Sequence, residues 1–535
     1  MDFVQNFPFM SILLSLFAGP LSSILNGKWA RRLNVAVIVT VGAMSGAVLA
    51  YVSDTKQAFV YRMGHFPAPW GNEIRVGTLE AFMALFFCVI MLLCMLGGIV
   101  ERQKEIVRSK QNLYFVMVNL LLCSLLALIY TNDLFTAYVF VEINTISACG
   151  LIMIKQNGRT IEAATRYMIM SLLGSGLLLL GICFLYDLTG QLLMSNIKEE
   201  VQLLAASGEY HVPLVLSLGL MSVGLAIKSA LYPFHAWLPD AYGYSTLSSA
   251  AILSSLVSKG YIFLLVKIFY RVIGFSVVCD SRVINVLFVF GIIGMIMGSV
   301  SAIKEKDIRR MIAFSSVAQI GYIYMGFGLG TEVAVTASVY HILSHAATKS
   351  LLFVAASGIT DSSSNSRQFR DLTGAGYRNK LAGIAFTVGS LSMVGIPIFS
   401  GFISKLLFAQ AAMGHSRKML PTLIALAIST VLNAVYFMKT VIRIYTPVPA
   451  AAGGRTAAEQ AAEAGQAAAG AEQTALSYAA ENRSQTPTVE CRDIPFTEQP
   501  VKSIAMVLFI ALNILLGLSS EPVIQLIESG LRMFG

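Results

Sequence analysis

The segment TNDLFTAYVFVEINTISACG, from Thr131 to Gly150, places the carboxylate of Glu142 near the middle of a largely apolar stretch. The stretch is long enough for a helix of about 20 residues, which is the length that crosses a bilayer. A carboxylate inside a membrane is energetically unfavourable and is by default a sign of a functional site. The fold therefore depends on whether the neighbouring sequence is also membrane-spanning.

The composition of the whole chain answers that question. Its 535 residues are 56% hydrophobic and only 13% charged, and the mean hydropathy is +0.71. A soluble protein carries roughly a quarter charged residues. Apolar runs of about 18 residues or more recur along almost the entire length, as expected of transmembrane helices. These features predict an all-α polytopic membrane protein and exclude a large soluble enzyme.

We predict about 14 transmembrane spans, numbered here in chain order. They lie near residues 7–25, 33–52, 79–99, 112–129, 133–154, 163–186, 213–234, 245–269, 283–302, 309–329, 333–357, 382–413, 419–443 and 501–527. A further segment, 447–498, is rich in Ala, Gly, Glu and Gln around residues 449–490 and has no useful apolar face. We predict that it is a low-complexity cytoplasmic insertion.

The net charge of +9 comes from short loops between the spans. Lys and Arg concentrate in the loops after spans 1, 3, 5, 9 and 11, for example at Arg31, Lys104, Lys155, Arg310 and Arg367. By the positive-inside rule these loops are cytoplasmic, which places both termini on the outer side of a cell (inner) membrane. The same distribution argues against nucleic acid as a partner.

The seven cysteines have no Cys-x-x-Cys spacing, and most lie within apolar runs. A disulfide framework, a zinc site or an iron–sulfur cluster is therefore not expected. We predict no cofactor and no metal, and no redox or hydrolytic site in this chain. Whether it is a subunit of an oxidoreductase stays open.

Several spans carry ionisable residues away from their ends. The residues are Glu142 in span 5, Lys228 in span 7, Lys259 in span 8, His341, His345 and Lys349 in span 11, and Lys405 in span 12. The span 11 residues have i, i+4, i+8 spacing, so they form a row on one helical face with steps of about 6 Å. Such residues face a protein interior or a hydrated cavity and pair with one another. Together they predict a proton-translocation path.

Gly and Pro accompany two of these lysines. Pro233 and Pro239 follow Lys228, and Gly395 and Pro397 precede Lys405. Interrupted helices occur in membranes where they line a cavity, so a lysine beside an interruption is well placed to load and release a proton. A carboxylate at about 4 Å would stabilise a lysine cation by roughly 4 kcal/mol at an effective dielectric near 20. Pairing with Glu142 would therefore keep Lys228 protonated, and separation would favour proton release toward Lys259.

Other interpretations of the same residues remain open. Glu142 and Lys228 would also suit a static structural ion pair, and His341 and His345 would suit a packed core. Lys267 and Lys439 lie near span ends and are expected to extend their amines toward the interface. Asp133 is expected to cap the helix that carries Glu142.

Four motifs carry a family resemblance. NDLFTAYVFVEI, AIKSALYPFHAWLPDA, YHILSHAATKSLLF and GIPIFSGFISKLLF, in this order, resemble the antiporter-like subunits of respiratory complex I, of Mrp-type sodium/proton antiporters and of membrane-bound hydrogenases. PAPWGNEIRV and GFISKLLF are most similar to the D-type subunit of Mrp antiporters. One departure is YGYSTLSSA after the second motif, where relatives often have two prolines.

The resemblance implies a domain organisation. It implies helices 1–3 in residues 1–110, a five-helix repeat of helices 4–8 in 111–270, and an inverted repeat of helices 9–13 in 282–445. Helices 7 and 12 would be broken, and helix 14 would lie in 500–535. The resemblance gives Glu142 and Lys228 the role of the family's glutamate–lysine pair and Lys259 that of its central lysine. The span 11 row would be a relay, and Lys405 would be the terminal basic residue, which is a glutamate in some members.

Three functions are compatible with the sequence. The first is a subunit of a multisubunit membrane complex that moves protons, with or without exchange for sodium, beside other membrane subunits in the lipid bilayer. The second is a free-standing secondary transporter of an organic solute, which would need a roomy pocket at the membrane midplane. The third is a structural scaffold, in which neutralising the buried charges would change little.

Overall fold

The computed structural model describes residues 3–66, 71–414, 417–447 and 492–534. Within these ranges, 13 helices are long and apolar enough to cross a membrane. The remaining predicted span, 382–413, is present as two shorter helices separated by a break. The prediction of an all-α polytopic membrane protein is confirmed. The relation between two inverted repeats remains a prediction, and the low-complexity part of 447–498 lies almost wholly outside the described residues.

The first half of the chain consists of helices and one β-hairpin. The elements are α1 (Phe7–Ile24), α2 (Gly27–Thr55), β1 (Phe59–Arg62), β2 (Glu73–Val76), α3 (Thr78–Gly97), α4 (Ile99–Glu105), α5 (Gln111–Tyr130), α6 (Leu134–Met153), α7 (Gly158–Thr189), α8 (Met194–Ser207), α9 (His211–Lys228), α10 (Leu238–Tyr244), α11 (Leu247–Ile252), α12 (Ser258–Lys267) and α13 (Phe275–Asp280). The π-helical segment Leu253–Val257 joins α11 to α12, and a second one, Ile268–Ile273, continues α12, so that Leu247–Ile273 forms one span of 27 residues.

The second half is helical throughout its described part. The elements are α14 (Val283–Lys304), α15 (Ile308–Leu329), α16 (Glu332–Asp361), α17 (Ala375–Arg378), α18 (Lys380–Val394), α19 (Ser400–Met413), α20 (Met419–Ile444), α21 (Pro500–Leu518) and α22 (Ser520–Arg532). Helix α16 and the span Leu247–Ile273 are buried along their whole apolar windows. These two helices form the centre of the molecule, whereas α7 and α20 keep large apolar side chains exposed as lipid-facing helices do.

The β-hairpin was not predicted from the sequence. Strands β1 and β2 pair antiparallel, from Phe59 opposite Val76 to Arg62 opposite Glu73. Glu73 in turn accepts hydrogen bonds from the backbone and side-chain nitrogens of Asn132, both at 2.8 Å. The hairpin therefore holds the turn between α5 and α6. At the start of α6, Asp133 accepts a hydrogen bond from the backbone of Thr136 at 2.6 Å, which confirms the predicted cap.

Both predicted helix breaks are present. Helix α9 ends at Lys228, and nine residues separate it from α10. Helix α18 ends at Val394, where Gly395 adopts a φ of 91° and donates its backbone N–H to Leu391 at 3.0 Å. This left-handed conformation favours glycine, because a Cβ atom is crowded there. The break between α18 and α19 therefore depends on glycine at position 395.

We predict that Gly395→Ala lowers the free energy of unfolding by about 1–2 kcal/mol, because alanine is strained at this φ. A Cβ atom would also lie 2.9 Å from Cδ of Lys405. The measurement is denaturant unfolding of the purified protein in detergent. Gly176→Ala is the control, since Gly176 lies within α7 and a Cβ there would have no neighbour within 4 Å. Equal stabilities for the two variants would contradict the prediction.

Candidate functional site

Glu142 and Lys228 lie together, as expected. Oε1 of Glu142 is 3.6 Å from Nζ of Lys228. The lysine side chain is completely buried, and the glutamate side chain is 25% exposed. Ser175 on α7 donates a hydrogen bond to the same carboxylate oxygen. Three neighbouring helices, α6, α7 and α9, therefore build the pair.

Lys228 is held by a second oxygen in addition to the carboxylate. Its Nζ donates to Oγ1 of Thr145 at 2.7 Å and lies 5.4 Å from the ring centre of Tyr261. The hydroxyl of Tyr261 is 3.3 Å from the same threonine oxygen. Because Lys228 is the last residue of α9, its backbone lies at the edge of the first helix break. The lysine cation thus lies at the point where the regular helix ends.

Lys259 lies in the buried centre without a carboxylate beside it. Its Nζ donates to the backbone carbonyl of Ser254, which belongs to the first π-helical segment. A π-helical turn displaces carbonyls from the regular i to i−4 pattern and makes them available to other donors. Within the described residues no hydrogen bond joins Lys259 to Lys228. The structure therefore separates the ion pair from the rest of the predicted path at this point.

The residues of span 11 form the predicted row on α16. The rings of His341 and His345 are 6.0 Å apart and nearly parallel. Nδ1 of His341 is 3.0 Å from the hydroxyl of Ser404 on α19. Lys349 donates to the carbonyl of Ile312 at 3.0 Å and to the hydroxyl of Ser315, both on α15. The row thus faces the helices of the second break.

His345 is buried, and neither of its ring nitrogens has a hydrogen-bond partner among the residues that the structure describes; the same holds for Nε2 of His341. Both rings line a cavity of about 10 Å³, which also touches Gln319 and Lys405. That volume is close to the minimum that holds one water molecule, and buried polar atoms are the usual partners of internal water. It is far below the roughly 300–1,000 Å³ of a small-molecule pocket.

Lys405 uses the second break directly. Its Nζ donates to the carbonyls of Met393 and Val394 at 3.2 and 2.6 Å and to Thr430 at 3.1 Å. Those two carbonyls end α18, and the last carbonyls of a helix have no partner within it. The break therefore supplies the acceptors for the lysine that follows it.

The predicted residues fall into two groups. Lys259 is near enough to His341, His345 and Lys349 for electrostatic interaction, and Lys405 interacts in the same way with His341. The second group consists of the Glu142–Lys228 pair with its threonine and tyrosine. All seven predicted residues thus lie in the protein interior or beside it, and none is isolated on the lipid-facing surface.

The prediction for Lys267 was wrong. Its side chain does not extend to the interface but is completely buried, and it donates to the carbonyls of Leu128, Ile129 and Thr131 at the end of α5. Four residues later, Arg271 forms a buried ion pair with Glu80 of α3 and lies 4.2 Å from the ring centre of Phe534. The i, i+4 spacing of two cations in one span was the sequence signal. By contrast, Lys439 is exposed, as expected.

A second buried charge cluster was also missed. Lys502, at the start of α21, forms ion pairs with Glu101 of α4 and with Asp361 at the end of α16, the latter at 2.8 Å. Each side chain is at most 7% exposed. The three residues are hundreds of positions apart in the chain, so sequence spacing carried no signal. This triad links α21 to α4 and to the central helix α16.

Asn513 on α21 is a further residue that the sequence did not identify. Its Oδ1 accepts hydrogen bonds from Thr348 at 2.8 Å, Ser392 at 3.1 Å and Ser400 at 3.2 Å. Ser392 precedes the second break and Ser400 follows it. One amide oxygen therefore fixes both half-helices against α16 beside the histidine row.

We predict that Asn513→Ala destabilises the protein by about 1–3 kcal/mol, because buried hydroxyls lose their acceptor. Asn513→Asp keeps an accepting oxygen and should lose less stability. Denaturant unfolding in detergent measures both variants. If the alanine variant were as stable as the wild-type protein, the proposed fixation of the break would be wrong.

Comparison with known proteins gives a consistent result. Residues 131–432 match the family model described as "NADH:quinone oxidoreductase/Mrp antiporter, TM". NADH-quinone oxidoreductase subunit N of Desulforudis audaxviator is 30% identical over 82% of this chain and 86% of its own length. The A-type subunit of the Na(+)/H(+) antiporter of Alkalihalophilus pseudofirmus is 28% identical over 72% of this chain, and the match covers 49% of that longer protein.

Two solved structures share the fold. A chain of the Mrp complex from Dietzia sp. DQ12-45-1b superimposes with a TM-score of 0.81 at 24% identity, covering 99% of this chain and 97% of that one. A chain of an archaeal membrane-bound sulfane sulfur reductase gives a TM-score of 0.80 at 23% identity, covering 100% and 98%.

Proposed function

Because the chain belongs to the NADH:quinone oxidoreductase/Mrp antiporter transmembrane family, we propose that it translocates protons as one subunit of a multisubunit membrane complex. The carrying observation is the buried contact between Glu142 and Lys228 beside the first helix break. Protons would move through Glu142, Lys228, Lys259, the row of His341, His345 and Lys349, and Lys405.

The first step of this proposal concerns the ion pair. At 3.6 Å the carboxylate stabilises the lysine cation by roughly 4 kcal/mol at an effective dielectric near 20. Glu142 is the one member of the pair with solvent or lipid exposure, so it is the member that can move away. When the pair separates, the buried cation loses its main counter-charge, and Lys228 releases its proton.

The second step carries that proton toward Lys259. Tyr261 lies on the Lys228 side of this gap, since its hydroxyl contacts Thr145 and its ring centre is 5.4 Å from Nζ of Lys228. Lys259 is two residues away on a different face of α12, so the transfer needs a bridging group such as water. The absence of a direct hydrogen bond between the two lysines in the described structure makes this the controlled step. While the Glu142–Lys228 pair is closed, the proton stays on Lys228. When the pair opens, the proton can pass to Lys259.

The third step uses the histidine row. The unpartnered ring nitrogens of His345 and the cavity shared with Lys405 suit a water molecule that links the row to the second break. Lys405 then holds the proton among backbone carbonyls. Exchange for sodium at another point of the complex is compatible with this path.

The geometry favours this function over an organic-solute transporter. The cavity between the histidines and Lys405 has about 10 Å³, which admits water but not an organic solute. We further propose a location in the cell membrane with both termini outside, from the loop charges. Any electron transfer would belong to partner subunits.

Glu142→Gln and Lys228→Ala are each predicted to abolish ion-coupled transport, because both remove the switchable pair. The measurement is the internal pH of vesicles that contain the purified complex, with an imposed membrane potential. Lys439→Ala is the matched control, since this lysine is exposed and is not one of the seven residues of the proposed path. Recovery of intact complex for each variant separates transport from assembly. Wild-type rates in both path variants would eliminate the relay.

The complex itself is tested by isolation. Affinity purification of this chain in mild detergent should recover other polytopic membrane proteins, identified by mass spectrometry, because the proposed activity needs partner subunits. A chain recovered alone that transports ions in vesicles would instead support a free-standing transporter.

A further inference from the structure

A basic cavity lies away from the proton path, between the α1–α2 turn and the segment from α4 to the start of α5. It has a volume of about 640 Å³. Its lining includes four cations, Lys28, Arg31, Arg102 and Arg108, and no acidic residue. The volume is within the roughly 300–1,000 Å³ of small-molecule sites.

Among the residues that the structure describes, none of the four cations forms an ion pair with a carboxylate within 4 Å. Arg102 is only 5% exposed, and its Nη1 donates to the carbonyl of Met95 at 2.8 Å and contacts Ser248 at 3.3 Å. Burial lowers the pKa of Arg102, against the opposing effects of Tyr114 and Glu101, and the nearby Arg31 lowers it further. A buried guanidinium without an anion is unfavourable, so an anionic group from outside the chain would stabilise this arrangement.

The position of the cavity identifies the kind of anion. The cavity lies at the ends of apolar helices, between the α1–α2 turn and the start of α5, and exposed apolar side chains adjoin its lining. Ile24 is 83% exposed two residues before Asn26, and Val107 is 64% exposed next to Arg108. Trp29 is 58% exposed at the same level, where aromatic residues mark the interface. A phospholipid can pair its anionic phosphate with the cations and pack its acyl chains on the exposed apolar side chains. A free phosphate ion can only pair with the cations.

We propose that this cavity binds the headgroup of an anionic phospholipid. The phosphate would lie among Lys28, Arg31, Arg102 and Arg108, with its acyl chains along the exposed apolar residues. Basic pockets between transmembrane helices on the cytoplasmic side are suited to anionic headgroups. The site is independent of the proposed proton path, so either proposal can fail alone.

The test uses the protein together with any subunits that copurify. It is equilibrated with detergent micelles that contain phosphatidylglycerol or, separately, phosphatidylcholine, and native mass spectrometry counts the bound lipids. The test variant combines Lys28→Gln, Arg31→Gln and Arg108→Gln, and leaves the buried Arg102 in place to protect folding. We expect an affinity for phosphatidylglycerol lower by on the order of 100-fold, with little change for phosphatidylcholine.

A second triple variant is the control. It combines Arg32→Gln, Lys56→Gln and Lys439→Gln, which remove the same charge from exposed residues outside the cavity lining. This variant should retain phosphatidylglycerol as the wild-type protein does. Equal loss in both variants would mean a nonspecific charge effect and would overturn the site.

Two further measurements separate other occupants. Inorganic phosphate at millimolar concentration should leave the lipid bound, and its displacement of phosphatidylglycerol would assign the cavity to a free anion. If the purified complex carries an acidic segment of another protein crosslinked to Arg31 and no bound lipid, the cavity would be a protein interface instead. Either result would overturn the lipid proposal.

Discussion

Lysine cations buried without carboxylate partners are the constraint on which the rest of this structure depends. In the described residues Lys259, Lys349 and Lys405 each bind backbone carbonyls or hydroxyls in place of an acid. A charged donor bonded to a carbonyl contributes about 1.5–3 kcal/mol, which offsets part of the large desolvation term. For Lys259 and Lys405 the carbonyls come from interrupted helices, at the π-helical turn before Lys259 and at the break before Lys405, whereas Lys349 binds a carbonyl of the continuous helix α15.

The irregular backbone is therefore tied to the chemistry of the site. In a membrane, unpaired backbone groups are tolerated only where they are buried in protein or line a polar cavity. Here a lysine amine donates to a backbone carbonyl that the interrupted helix leaves without a partner. The interrupted backbone and the lysine cation therefore stabilise one another. Asn513 adds a fixed acceptor across the second break and holds the two half-helices in their relative position beside Lys405.

Charges outside the path have a different arrangement. Arg271 with Glu80, and Lys502 with two carboxylates, are closed pairs that pin helices together. Breaking a buried pair by removing one partner is strongly destabilising, which suits a static role. The Glu142–Lys228 pair differs because its carboxylate is partly exposed and its contact is the longer one, at 3.6 Å. Geometry thus distinguishes this partly exposed pair, which we propose can open, from the fully buried pairs that hold helices together.

The sequence alone determined the membrane-spanning helices, both helix breaks and the cap at Asp133, and it supplied the seven ionisable residues of the proposed path. Hydropathy, Gly/Pro positions and charges within apolar runs are local properties. Only the tertiary structure decided which charges meet. The contact between Glu142 and Lys228, the burial of Lys267, the triad around Lys502 and the three hydroxyls on Asn513 join residues far apart in the chain. Such contacts follow from how whole helices pack, and no short spacing in the sequence encodes that packing.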